Sequence, residues 1–181
     1  MIRPSGEVES FEWTPPEEFT LETVLPDGEG GLYLVAALKT LHRSKEGEIT
    51  PFADVGSSVG AVALGPDGAL YLGKASRLTR VDGEGNTSVV AEDLGEVYGV
   101  AVDAKGVVFV TDYTGGRVLK VAEEKTTVLA TGLEYPSGVV VDGDGTLYVK
   151  ESGRQTNQPM RVRKIAPGGE MTIFATVPRR W

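Results

Sequence analysis

The sequence predicts an all-β fold assembled from one repeated four-stranded unit, on three observations. Short apolar runs rich in β-branched residues alternate with Asp/Gly turns along nearly the whole chain. An aromatic residue returns at Tyr33, Tyr71, Phe109 and Tyr148, in steps of 38, 38 and 39. The 24 glycines and 10 prolines fall between regular apolar runs, so they punctuate turns and do not signal disorder. Four short strands in each period of about forty residues are the signature of a β-propeller blade.

The clearest copy of the unit is Gly99 to Val121. Gly99–Val102 and Val107–Thr111 flank the turn Asp103–Gly106 as a hairpin, and Thr114–Gly116 turns the chain into a third strand, Arg117–Val121. Matching hairpins run from Gly60 to Leu72 and from Gly138 to Val149, with a degenerate copy from Thr23 to Leu34. Third strands align as Leu41-His42-Arg43, Leu78-Thr79-Arg80, Val118-Leu119-Lys120 and Val162-Arg163-Lys164. Fourth strands follow at Glu48–Ala53, Thr87–Ala91, Thr126–Ala130 and Met171–Ala175.

Residues 4–11 match 167–174, so the chain opens on the outermost strand of a partial blade. The expected division is a connector over 1–18 and four complete antiparallel blades over 19–181. Their approximate bounds are 19–56, 57–95, 96–135 and 136–181. Four blades and a fraction leave blade faces open, which drives closure or association. The readings are a tight four-bladed ring, self-association through the open faces, or part of a larger, six-bladed ring.

Composition narrows the function classes. A net charge of −8 argues against nucleic acid and anionic membrane as partners. Without cysteine there is no disulfide and no thiolate metal site. No apolar run approaches a membrane-spanning length. Residues 1–6 lack the apolar core of a signal peptide, which makes a cytoplasmic location the default expectation. Eight acids stand against one base from Met1 to Glu29, and seven bases against two acids from Lys150 to Trp181. These are two solvated surfaces, or a head and a tail that meet.

The motifs GVAVD…VFVTD…GRVLKV and PSGVVVDGDGTLYVKES resemble the NHL-repeat family. The blade pattern is also similar to the regucalcin/gluconolactonase propellers and, more distantly, to virginiamycin B lyase. The resemblance covers roughly Leu21 to Ala175 and implies a ligand site at the mouth of the central channel. In the regucalcin/gluconolactonase family an Asp in the place of Asp112 helps hold a divalent cation. Glu151 follows in the next blade, while Lys74 and Ala36 hold the place in the first two. The resemblance therefore implies Asp112 and Glu151 as metal ligands for Ca, Mg, Mn or Zn. That family also sets Asn before the Gly that opens a blade, where this chain has Val59, Tyr98 and Ser137. The bland reading of Asp112 is a structural carboxylate that caps turn amides or pairs with Arg117.

The second-to-third-strand loop of the last blade is enlarged. Fourteen positions separate Tyr148 from Val162, against nine from Phe109 to Val118 and seven from Tyr71 to Leu78. Loops that break a repeat often carry function, although a tolerated insertion explains this one equally well. Tyr98, Tyr113, Tyr135, Glu151 and Arg154 are therefore candidate contacts for a small molecule, peptide or carbohydrate at the channel mouth. Catalytic residues are not assignable. The only histidine, His42, reads as a surface or blade-packing residue. Asp142-Gly143-Asp144-Gly145 resembles the start of a calcium loop but reads as a hairpin turn, as does Asp27-Gly28-Glu29-Gly30. The expected function is a binding module. The alternatives are a divalent-metal hydrolase of lactones or esters, and a propeller fragment without activity of its own.

Overall fold

The computed structural model of the chain describes residues 20–36, 39–56, 59–153 and 158–178. They form four antiparallel four-stranded sheets, each in simple sequence order. Blade 1 contains β1 (Leu21–Pro26), β2 (Leu32–Ala36), β3 (Lys39–Arg43) and β4 (Ile49–Asp54). Blade 2 contains β5 (Ala61–Leu64), β6 (Leu70–Lys74), β7 (Arg77–Val81) and β8 (Thr87–Ala91). Blade 3 is β9 (Val97–Val102), β10 (Val108–Asp112), β11 (Arg117–Ala122) and β12 (Lys125–Thr131). Blade 4 is β13 (Pro136–Val141), β14 (Leu147–Glu151), β15 (Met160–Ile165) and β16 (Met171–Val177). The all-β propeller architecture expected from the repeat is present, with no helix among the described residues. The partial blade expected at residues 4–11 lies outside them.

The core lies between blades. Leu25, Tyr33 and Phe52 of blade 1 pack on Val62 and Leu72 of blade 2. Ala63, Tyr71 and Val90 of blade 2 pack on Val100, Val110 and Leu119 of blade 3. Ala101, Phe109 and Leu129 of blade 3 pack on Val139 and Val149 of blade 4. A strand sandwiched between two sheets needs apolar side chains on both faces, so the inner strands read as continuous apolar runs. The recurring aromatic is the largest side chain in each trailing face.

Each first hairpin is closed by an aspartate that caps its own turn. Asp142 Oδ1 accepts from the amides of Asp144 and Thr146 at 3.0 and 2.9 Å. Asp27 does the same for Glu29 and Gly31, and Asp103 for Lys105 and Val107. Both Asp/Gly runs are therefore hairpin turns, as the sequence indicates.

The strand register corrects one alignment. His42 lies opposite Tyr33, as Arg80 lies opposite Tyr71, Lys120 opposite Phe109 and Lys164 opposite Tyr148. The base column is thus His42, Arg80, Lys120 and Lys164, and Arg43 falls one residue beyond it. Side chains alternate between faces along a strand, so the pairing, not sequence likeness, decides the column. His42 Nε2 sits 2.8 Å from Asp27 Oδ2, and Arg80 Nη2 sits 2.7 Å from Asp67 Oδ2. The lone histidine plays the part of an arginine, closing its hairpin turn while its ring packs against Tyr33 and, at a longer distance, Phe52.

Candidate functional site

The second-to-third-strand loops and the links between blades gather on one face of the molecule. At the end of each second strand in blades 2, 3 and 4, one side chain reaches back and grips the link that enters its blade. Lys74 Nζ donates to the Val55 carbonyl. Asp112 Oδ1 accepts from the Glu96 amide at 3.0 Å. Glu151 Oε1 accepts from the Glu134 amide at 2.9 Å, its longer side chain reaching one residue further back along the link. Ala36 holds the corresponding place in blade 1.

Both carboxylates are almost completely buried. Asp112 Oδ1 also takes the Gly115 amide at 3.0 Å, and its Oδ2 takes Arg117 Nε at 2.7 Å. Two glycines make room for it. A Cβ on Gly115 would stand 2.0 Å from Asp112 Oδ2, and one on Gly95 (φ +78°) 2.2 Å from the same carboxyl group. Burial pushes the Asp112 carboxyl up, but the Glu96 amide, the Arg117 guanidinium and the Gly115 amide outweigh it. They hold the group below the usual carboxylate range. Glu151 Oε2 takes Arg163 Nε at 2.8 Å. Arg163 occupies the register position of the buried Leu119, so blade 4 exchanges a core leucine for a base that neutralises Glu151.

The resemblance implies a cation at Asp112 and Glu151, and the donor set does not fit one in this arrangement. Each carboxylate spends one oxygen on a guanidinium and the other on backbone amides. Among the described residues no three Asp, Glu or His side chains converge on a common point. A cation at either carboxylate would meet the charge of Arg117 or Arg163 at close range.

The predicted tyrosines do come together. Tyr98 stacks on Tyr113 with ring centroids 4.4 Å apart and planes 23° from parallel. Tyr113 in turn meets Tyr135 at 5.1 Å and 49°. The three come from β9, from the turn after β10 and from the link into blade 4, where Tyr135 is held at φ +51°. Tyr98 also borders a broad open groove that runs past Lys74, Arg77 and Glu96. A smaller cavity of about 230 Å³ is lined by Tyr113, Thr114, Leu133, Glu134 and Tyr135. Arg154 lies outside the described residues; of the enlarged loop, Glu151, Ser152, Gly153, Gln158 and Pro159 are among them.

Sequence reasoning missed two parts of this face. Lys74 stands out only once the links are seen to need gripping, because its partner is a backbone carbonyl 19 residues away. Arg163 was hidden because an alignment column of Thr79, Leu119 and Arg163 shows no shared chemistry.

The fold is that of a β-propeller, and the solved structures it resembles are propellers as well. The chain resembles virginiamycin B lyase from Staphylococcus aureus with a TM-score of 0.77 at 17% identity, over 99% of this chain and 62% of that one. It resembles the calcium-binding protein regucalcin from Agrobacterium tumefaciens with a TM-score of 0.67 at 15% identity, over 89% and 61%. A protein described as a gluconolactonase matches with a TM-score of 0.55 at 14% identity, over 91% and 80%. The chain thus spans about three fifths of the length of the lyase and regucalcin structures. These identities establish shared fold and nothing further. No protein-family model and no curated protein matches the sequence.

Proposed function

We infer that this chain is a ligand-binding propeller module that takes a small molecule, peptide or carbohydrate bearing a flat ring or sugar face on the Tyr98–Tyr113–Tyr135 ladder. The ladder is the observation that carries the reading. Stacked tyrosines present large, stiff, amphipathic surface at low entropic cost. The same position one blade on argues that they are not needed for closure. There Ser137 Oγ and Ser152 Oγ meet at 3.0 Å, beside the Ser152 amide bonded to the Tyr135 carbonyl. Tyr98 corresponds to Ser137 in register and Tyr113 to Ser152 in sequence, so two serines suffice for architecture. Tyr98 is also exposed, whereas a tyrosine used only as packing would be covered.

The buried, neutralised carboxylates support a binding module over a hydrolase. Every oxygen of Asp112 and Glu151 is already held by a backbone amide or a guanidinium. The test is a calorimetric screen of oligosaccharides, aromatic small molecules and proline-rich peptides, repeated on Tyr98→Ser. Binding that the variant loses supports the reading. Metal-dependent turnover of a lactone or ester would replace it with the hydrolase, and silence across the screen would favour a fragment that lacks its remaining blades.

A further inference from the structure

Three trailing-face positions recur through the blades, and in blade 4 two of them are exposed. The inner-strand column is Leu25, Ala63, Ala101 and Val140, each paired with the recurring aromatic. The outer-strand column is Phe52, Val90, Leu129 and Phe174, each at the irregularity in its outermost strand. In blades 1 to 3 these side chains pack against the next blade. In blade 4, Val140 and Phe174 are each 62% exposed, and the half-buried Tyr148 leans on Phe174 at 5.0 Å.

The opposite end of the arc is open as well. Val62, Val100 and Val139 lead blades 2, 3 and 4 and pack on the blade before. Their counterpart Val24 is 43% exposed, and Leu21, the counterpart of the buried Val97, is 47% exposed. Leu34 and Leu41 behind them are buried, so the opening is confined to the inner strand. Charge follows the same division. Lys150 takes the register position of the buried Val35, Gly73 and Thr111, and it is exposed on the trailing side. Glu22 stands between Leu21 and Val24 on the leading strand.

We propose that a second copy of this chain covers these faces, the inner strand of its blade 1 lying on the trailing face of blade 4, with Lys150 opposite Glu22. The chain itself joins a trailing face to a leading face three times, so the mate is of a kind already present. Two copies joined head to tail through two equal contacts close a ring of eight blades, within the span propellers adopt. The proposal is independent of the tyrosine ladder.

Light scattering at micromolar concentration tests it. The expected mass is twice the 19.2 kDa of the chain. Phe174→Glu and Val140→Glu should each return the single-chain mass with the circular dichroism spectrum unchanged. Val89→Glu, at an exposed outer-strand position off the trailing face, should leave the doubled mass intact. Lys150→Glu should weaken association about tenfold, and Glu22→Lys added to it should restore the affinity. A single-chain mass for the wild type, open-ended oligomers, or a doubled mass indifferent to Phe174→Glu would each overturn the proposal. So would failure of the charge exchange to restore association.

Discussion

Arg117 donates its Nε to Asp112 Oδ2 at 2.7 Å, closing a cage in which the Glu96 and Gly115 amides hold the other oxygen. The carboxylate is the meeting point of a strand end, a turn and the link from the preceding blade. Breaking a buried, hydrogen-bonded charge pair from one side costs about 3–5 kcal/mol. Asp112→Asn keeps the shape and loses the charge, so about 3 kcal/mol of destabilisation is expected, the low end of that range. For a chain of this size that is a fall in melting temperature of roughly 5–10 °C, read by calorimetry.

The same cage fixes a pH dependence. Asp112 has its folded-state acidity strengthened, so its stabilisation is complete above the unfolded carboxyl value of about 3.9. It is lost as pH falls through the lower folded value. Acid titration of unfolding should show stability dropping below about pH 4, and the drop should shrink in Asp112→Asn. An equal drop in the variant would assign the acid sensitivity elsewhere.

Gly115→Ala pushes a methyl group to 2.0 Å from Asp112 Oδ2, a separation that forces the carboxylate off its amides. A cost of about 2–3 kcal/mol is expected, in the upper range for overpacking a closed site. Gly143→Ala, whose Cβ would meet nothing, is the matched control and should cost well under 1 kcal/mol.

His42→Arg should be neutral or stabilising, since Arg80 already makes the same contact to the hairpin aspartate of blade 2. His42→Leu should cost about 1 kcal/mol through loss of the Asp27 contact. Chemical denaturation of the three proteins separates the cases. An arginine variant as weak as the leucine one would show that ring packing against Tyr33 and Phe52 matters more than the Asp27 contact.

Replacing Tyr98 and Tyr113 together by serine reproduces the Ser137–Ser152 closure in blade 3. Stability should fall by only about 1 kcal/mol, the worth of one aromatic pair, while binding to any ring-bearing ligand found in the screen is abolished. A double variant that unfolds instead would make the stack structural.

The fold was legible because its signal is repeated. Four copies of an aromatic locate every second strand, and the Asp/Gly turns locate every first hairpin. The tyrosines were legible because they stand beside the loops that enter each blade. What was not legible depends on register and on backbone partners. The sequence aligns Leu41-His42-Arg43 one residue out, since a similar-looking base follows the true one. The grip of Lys74 on Val55 leaves no trace in composition. The pairing of Glu151 with Arg163 needs β14 and β15 to be set side by side, because 12 residues separate the two.

The grips on the interblade links differ in polarity: Lys74 donates a hydrogen bond to a carbonyl, whereas Asp112 and Glu151 accept one from an amide. The blades are alike in outline yet not interchangeable. A lysine-bearing blade inserted after a link shaped for a carboxylate would face N–H with N–H, and the reverse exchange would face oxygen with oxygen. Growth of such a chain by copying one blade therefore succeeds only when the preceding link is copied with it. The inheritable unit is offset from the visible one: it begins in a link and ends at the close of the following second strand.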